Sequence, residues 1–143
     1  MLSKNLAMIS ITEKPLELQK VIDAASSLGA GGVNVFIGNV RGITKGKKVL
    51  WLEYEAYEAM AIGEIRKIID EVKPRWGLLG CAVSHRIGTL KPGETAVIVA
   101  VAASHRKESF EACQYIIDQL KIKVPIWKKE VFEDGEEWVS ARP

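Results

Sequence analysis

Cysteine and histidine are scarce in this 143-residue chain, with two of each. Cys81 and Cys113 are too few and too far apart for a disulfide framework or a zinc site, and apolar or small residues flank both, so buried reduced thiols are expected. His85 and His105 lie twenty residues apart, so a histidine-based metal site would need several elements, and no metal is expected. Long apolar runs are also missing. The longest, Ala96 to Ala103, has eight residues, against about 20 for a membrane-spanning helix. The first residues, MLSKNLAMISI, lack a long apolar core followed by a cleavage site, so no secretion signal is read there and a cytoplasmic protein is expected. There is no phosphate-binding Gly-x-x-x-x-Gly-Lys-Ser/Thr loop, no dinucleotide-binding Gly-x-Gly-x-x-Gly and no Gly-x-Ser-x-Gly elbow. Neither charge nor composition is extreme: the net charge is +2, with 48% hydrophobic and 27% charged residues. Disordered, collagen-like and coiled-coil chains are excluded, and residues 1–143 read as one domain able to build its own core.

The charge that is present comes in blocks. Residues 41–48 carry Arg41, Lys45, Lys47 and Lys48 without an acid, and residues 121–129 carry four lysines without an acid. Residues 130–137 carry five acids and no base. One such run is usually a solvated face, but several basic stretches in a small domain favour an anionic ligand.

Periodicity predicts strands at 8–12, 33–41, 49–57, 78–86 and 95–103, an extended segment at 124–132 and a last strand around Trp138. The 95–103 strand is apolar on both faces and is expected to be central. Helices are predicted from Pro15 through Leu28, over 58–73 with Pro74 as the stop, and from a Ser104 cap to about Leu120. In the last helix Phe110, Cys113, Ile117 and Leu120 are expected inward. Residues 42–48 read as a loop. The order β-α-β-β-α-β-β-α-β-β, with short turns between adjacent strands, implies α+β architecture and mostly antiparallel sheet.

His105 and Arg106 sit at the predicted start of the third helix, where free N–H groups and an arginine fork suit an anion. Arginine there opposes the helix dipole at a cost of about 0.3–1 kcal/mol, a local penalty that points to function. In 121–130, alternation puts Val124, Ile126 and Lys128 on one side and Trp127 and Lys129 on the other. A lysine among apolar residues is partly desolvated, which lowers its pKa and suits acid–base or nucleophilic work. The plain alternative is a lysine whose stem packs on Trp127. Arg41, at a strand end, is a candidate second anion clamp or a solvated charge. Glu53, Tyr54, Glu55 and Tyr57 are read as structural, with one carboxylate available to orient a cation.

The segments Phe36-Ile37-Gly38-Asn39-Val40-Arg41, Leu52-Glu53-Tyr54-Glu55-Ala56-Tyr57, His85-Arg86-Ile87-Gly88, Ser104-His105-Arg106 and Pro125-Ile126-Trp127-Lys128-Lys129-Glu130, in this order and spacing, resemble the large, catalytic subunits of molybdopterin synthase. The resemblance implies an α/β-hammerhead fold and a metal-free sulfurtransferase subunit without a cofactor of its own. Such subunits convert cyclic pyranopterin monophosphate into the dithiolene molybdopterin, in molybdenum cofactor biosynthesis. It implies two partners: a small ubiquitin-like sulfur-carrier subunit with a C-terminal thiocarboxylate, and a second copy of the chain at the centre of a heterotetramer. Carried over by position, Lys121 and Lys128 are the expected catalytic lysines. Arg41, His105, Arg106 and Arg142 are expected to bind substrate, some of them in the neighbouring chain's pocket. Neither nucleic acid nor a membrane is an expected partner. The competing readings are an RNA-binding module and a sulfurtransferase working through Cys81 or Cys113.

Overall fold

A computed structural model describes residues 7–140. Its elements are β1 (Ala7–Thr12), α1 (Leu18–Ala25), β2 (Gly32–Asn39), β3 (Ile43–Thr44), β4 (Lys47–Ala56), α2 (Glu58–Trp76), β5 (Gly80–Arg86), β6 (Gly88–Leu90), β7 (Thr95–Ala103), α3 (Arg106–Lys123), β8 (Ile126–Phe132) and β9 (Gly135–Ser140). They form two sheets. One has the order β1-β5-β7-β2, in which only the β1–β5 pair is parallel. The other has the order β3-β4-β8-β9, with β6 also on β4, and is antiparallel throughout. The architecture is the expected α+β one, mostly antiparallel and with three helices.

The apolar run of β7 explains the layering. As a central strand it is covered on both sides, so every second residue faces a different core. Val99, Val101 and Ala103, with Cys81 and Val83 of β5, meet Ile65, Ile68, Ile69 and Val72 of α2 and Ala112, Cys113, Ile116 and Leu120 of α3. Ile98 and Ala100, with Ala82, meet Val21 and Ala25 of α1 on the opposite face. A smaller cluster of Val40, Leu52, Leu90 and Ala96 joins the two sheets.

Five local expectations are corrected. Pro74 does not stop α2, which runs to Trp76. A proline in the last turn removes one hydrogen bond only, and the helix ends where Gly77 turns left-handed (φ 62°) and the N–H groups of Gly77 and Leu78 both reach the Lys73 carbonyl. Helix α1 starts at Leu18, after Pro15, and ends at Ala25, where the Ser26 hydroxyl donates to the Ile22 carbonyl; Leu28 lies beyond it, exposed. Ser104 does not cap α3. His105 holds the cap position without a side-chain bond, while Gly31 N–H donates to the carbonyls of Ala103 and Ser104. Phe110 is exposed, because the stripe facing the sheet runs through Ser109, Ala112, Cys113, Ile116 and Leu120. Residues 42–48 form a hairpin, with Ile43 and Thr44 paired to Lys48 and Lys47 around Lys45-Gly46, both at positive φ.

Candidate active site

Where α3 ends and β8 begins, the two sheets and the helix pair leave a cavity of about 260 Å³. Its wall is largely apolar, with Phe36 of β2, Val83 of β5, Val97 of β7, Ile117 and Leu120 of α3, Ile126 of β8 and Val139 of β9. Four polar side chains interrupt it: Tyr54, His85, Lys121 and Lys128.

Each polar group is placed by its element. Lys121 lies in the last turn of α3, where a cation complements the helix dipole. Two residues beyond Ile126 on β8, Lys128 shares its face, and the strand register sets it opposite Tyr54 of β4. His85 follows Val83 on β5 by the same alternation, and its ring meets Tyr54 edge-on at 5.0 Å between centroids.

The electrostatics follow from burial. Burial pushes the Lys128 ammonium below its ordinary range; Glu130 opposes that shift, and Arg41 and Lys121 add to it. Arg41, Lys121 and Lys128 therefore act on one region of space. Glu130, buried on β8, accepts a hydrogen bond from Thr44 Oγ1 at 2.7 Å, which ties the 42–48 hairpin to the site. Burial, and then the Glu130 charge, raise Tyr54 to about 12, so it stays a neutral phenol. Burial, despite the bond from its ring to the Arg86 carbonyl, lowers His85 to about 4, with Lys128 contributing; it is a neutral imidazole at pH 7.

The sequence-predicted residues divide. Lys121 and Lys128 share the cavity wall, and Arg41 is close enough to perturb Lys128. His105 and Arg106 do not join them within one chain. They are exposed at the start of α3, and the fifteen residues from Arg106 to Lys121 span about 22 Å of helix. The start of β2 holds them there: a Cβ at Gly32 would lie 3.0 Å from Arg106 Cα and 3.1 Å from its N. Arg142 lies outside the described residues.

Sequence reasoning missed Tyr54, His85, Phe36 and Glu130. For His85 the signal existed, since alternation from Val83 puts it on the core face. The carboxylate left open among Glu53 and Glu55 is resolved: Glu53 pairs with Lys129 at 3.2 Å and accepts from Trp51 Nε1 at 2.9 Å, on the face of the sheet away from the cavity. Burial raises the thiols of Cys81 and Cys113 to about 12 and about 11. Among the described residues no group of three or more His, Cys, Asp or Glu is placed to hold a metal ion, and no helix is long and apolar enough to cross a membrane.

Two lysines at a largely apolar cavity, with an arginine near enough to act on one of them, make a site of the class suited to an anionic ligand. Comparison with known proteins makes this specific. The model of the MoaE protein family matches residues 11–123. A molybdopterin synthase catalytic subunit of Halalkalibacterium halodurans is 48% identical over 131 residues, covering 92% of this chain and 84% of that protein. Among solved structures, molybdopterin synthase from Staphylococcus aureus superposes with a TM-score of 0.87 at 40% identity, over 91% of this chain and 95% of that one. A complex of subunits 1 and 2 of the molybdopterin-converting factor of Helicobacter pylori shares the fold (TM-score 0.75, 21% identity, 96% and 92% covered). The chain belongs to the MoaE family. Its function is that of a molybdopterin synthase catalytic subunit, an enzyme of molybdenum cofactor biosynthesis.

Proposed function

We propose that the cavity between Lys121 and Lys128 is where sulfur passes from the thiocarboxylated C-terminus of a small ubiquitin-like carrier subunit to cyclic pyranopterin monophosphate. The observation that carries this reading is the convergence of the two lysines, with Arg41 nearby, on one largely apolar pocket. Both reactants are anions, and bringing them together costs repulsion that fixed cations offset, most effectively where water is scarce. Lys121, exposed at the rim, meets the thiocarboxylate and stabilises charge developing on its oxygen. Sulfur bonds to a side-chain carbon of the pyranopterin as a carbon–oxygen bond at that carbon breaks, the oxygen leaving with the opening phosphate in one transfer and as water in the other, and each transfer gives a thioester. Water then cleaves the acyl–sulfur bond, which leaves sulfur on the pterin and a carboxylate on the carrier. A second carrier repeats the step to complete the dithiolene. Lys128, with its lowered proton affinity, exchanges a proton as the cyclic phosphate opens. Arg41 binds the phosphate.

His105 and Arg106 are exposed and far from their own chain's cavity, so they serve the pocket of a second copy, in a central dimer that carries one small subunit at each end; Arg142 joins the same substrate-binding set. Buried free thiols fit a cytoplasmic protein whose sulfur stays on its partner. Nucleic acid has no part in this reading: Trp51 and Trp138 lie with Glu53, Glu136 and the paired Lys129 on the face away from Lys128. The test mixes the chain with thiocarboxylated small subunit and cyclic pyranopterin and measures dithiolene formation. Lys121→Ala and Lys128→Ala should each lower turnover about 100-fold or more with the fold retained. Wild-type rates in both variants would remove the assignment.

A further inference from the structure

Of the four polar groups at the cavity wall, the sulfur-transfer reading uses Lys121 and Lys128 and leaves Tyr54 and His85 without a role. His85 Nδ1 lies 2.8 Å from the Arg86 carbonyl oxygen. A carbonyl oxygen only accepts, so Nδ1 carries the proton, and in the neutral ring Nε2 holds a bare lone pair. The ring has little freedom to reverse this. The Tyr54 ring stands against it at 76°, and the strand position of His85 is itself paired on both sides, to Val97 of β7 and to Ile11 of β1. No described residue donates to Nε2, and the side chain lines the cavity.

This arrangement differs in kind from its neighbours. Lys121 and Lys128 offer donors to anions, whereas Nε2 can only accept. A proton shuttle is also disfavoured, since burial and Lys128 hold the ring neutral down to about pH 4 and make it a poor base. An obligate acceptor in an apolar wall selects a ligand that brings an N–H group to that depth.

The geometry points to His85 as a ligand-binding residue that accepts a hydrogen bond at Nε2 from an N–H donor of a bound reactant. The inference rests on the cavity being the reaction site. Two reactants carry such donors, the amide N–H groups of an extended carrier tail and the N–H edge of the pterin, and separate titrations distinguish them.

The experiment compares His85→Phe with His85→Gln, whose side-chain amide oxygen restores an acceptor near the Nε2 position. KM is measured for each reactant at saturating concentrations of the other. One neutral hydrogen bond corresponds to about 3- to 10-fold in binding. The phenylalanine variant should raise KM by that factor for one reactant and leave the other within about twofold. The glutamine variant should recover most of the loss. Equal KM values for both reactants in folded His85→Phe would overturn the proposal, as would a glutamine variant as impaired as phenylalanine. If His85→Phe does not fold, nitrogen NMR of the imidazole in the wild-type protein decides. It should show Nδ1–H and a bare Nε2, with the Nε2 resonance moving when one reactant binds; an Nε2–H ring, or a resonance that neither reactant moves, overturns the proposal. Loss of turnover in Lys128→Ala alongside an indifferent His85 would reject this inference and keep the site.

Discussion

Replacing Lys128 by methionine should separate catalysis from stability. Methionine has nearly the same length and fills the same space. Among the described residues, the charge that favours the Lys128 ammonium is that of Glu130, two residues along the same face of β8. At about 7 Å and an effective dielectric of about 20, that attraction is about 2 kcal/mol. Against it stand desolvation of the ammonium and repulsion from Arg41 and Lys121, and these prevail, because the net direction of the Lys128 shift is downward. The charged lysine is thus held at a cost, and Lys128→Met should leave stability unchanged or raise it by up to about 1 kcal/mol, about 3 °C in Tm at this chain length. Dithiolene formation should fall about 100- to 1,000-fold, as when one electrostatic donor is removed from an active site. Glu130→Gln keeps an acceptor for Thr44 but removes the charge that, among the described residues, favours the Lys128 ammonium, so Lys128 should give up its proton at a still lower pH. Thermal unfolding and turnover measured on the same preparations decide. A Lys128→Met protein destabilised by more than 1 kcal/mol, or one with normal turnover, would refute the reasoning.

Other measurements follow from the same structure. His85 is held near a pKa of 4 against an ordinary 6.5, so between these values the unfolded chain takes a proton that the folded chain refuses. Stability should fall by about 2–3 kcal/mol as pH drops from 6.5 to 4, and His85→Gln should flatten that part of a denaturation-versus-pH curve. With both thiols pushed up by burial, iodoacetamide at pH 8 should label Cys81 and Cys113 only on unfolding, and the double alanine variant should keep its sulfur-transfer activity; rapid labelling of the native protein would contradict the burial. Gly63 is an exposed position inside α2 with open space around it, so Gly63→Ala should stabilise by about 0.5–1 kcal/mol in chemical denaturation.

The fold was legible wherever periodicity had a single meaning. The two-sided apolarity of 95–103 could describe only a covered central strand, and alternation across 124–129 put Ile126 and Lys128 on one face before any contact was known. Legibility failed where tertiary geometry decided. Phe110 looked like a core residue by spacing, yet the angle of α3 to the sheet gives its place to Ser109 and Ala112. Basic composition at 42–48 read as a loop, because a hairpin of two-residue strands leaves no periodicity. In the site, alternation singled out Lys128, whereas Lys121 was named only through the resemblance to a known family. Glu130 and Tyr54 could not be named, since their role comes from cross-strand register and from Thr44, 86 residues away.

The separation along α3 bears on assembly. One straight helix carries Arg106 at its start and Lys121 near its end, about 22 Å apart, and a substrate no larger than a 260 Å³ cavity cannot touch both within one chain. If Arg106 acts on substrate, it acts in another copy's pocket. Two inactive variants then become a quantitative test. In a mixed dimer of Lys128→Ala and Arg106→Ala chains, one pocket collects both defects and the other collects none. Random reassociation makes half the dimers mixed, and half the pockets in those are intact, so about a quarter of wild-type activity should return. Pockets built from one chain each would all carry a defect, and the mixture would stay as inactive as its components. Return of activity after unfolding and refolding the two variants together, but not after refolding them apart, would place Arg106 across the dimer; no return at any mixing ratio would confine it to the surface of its own chain.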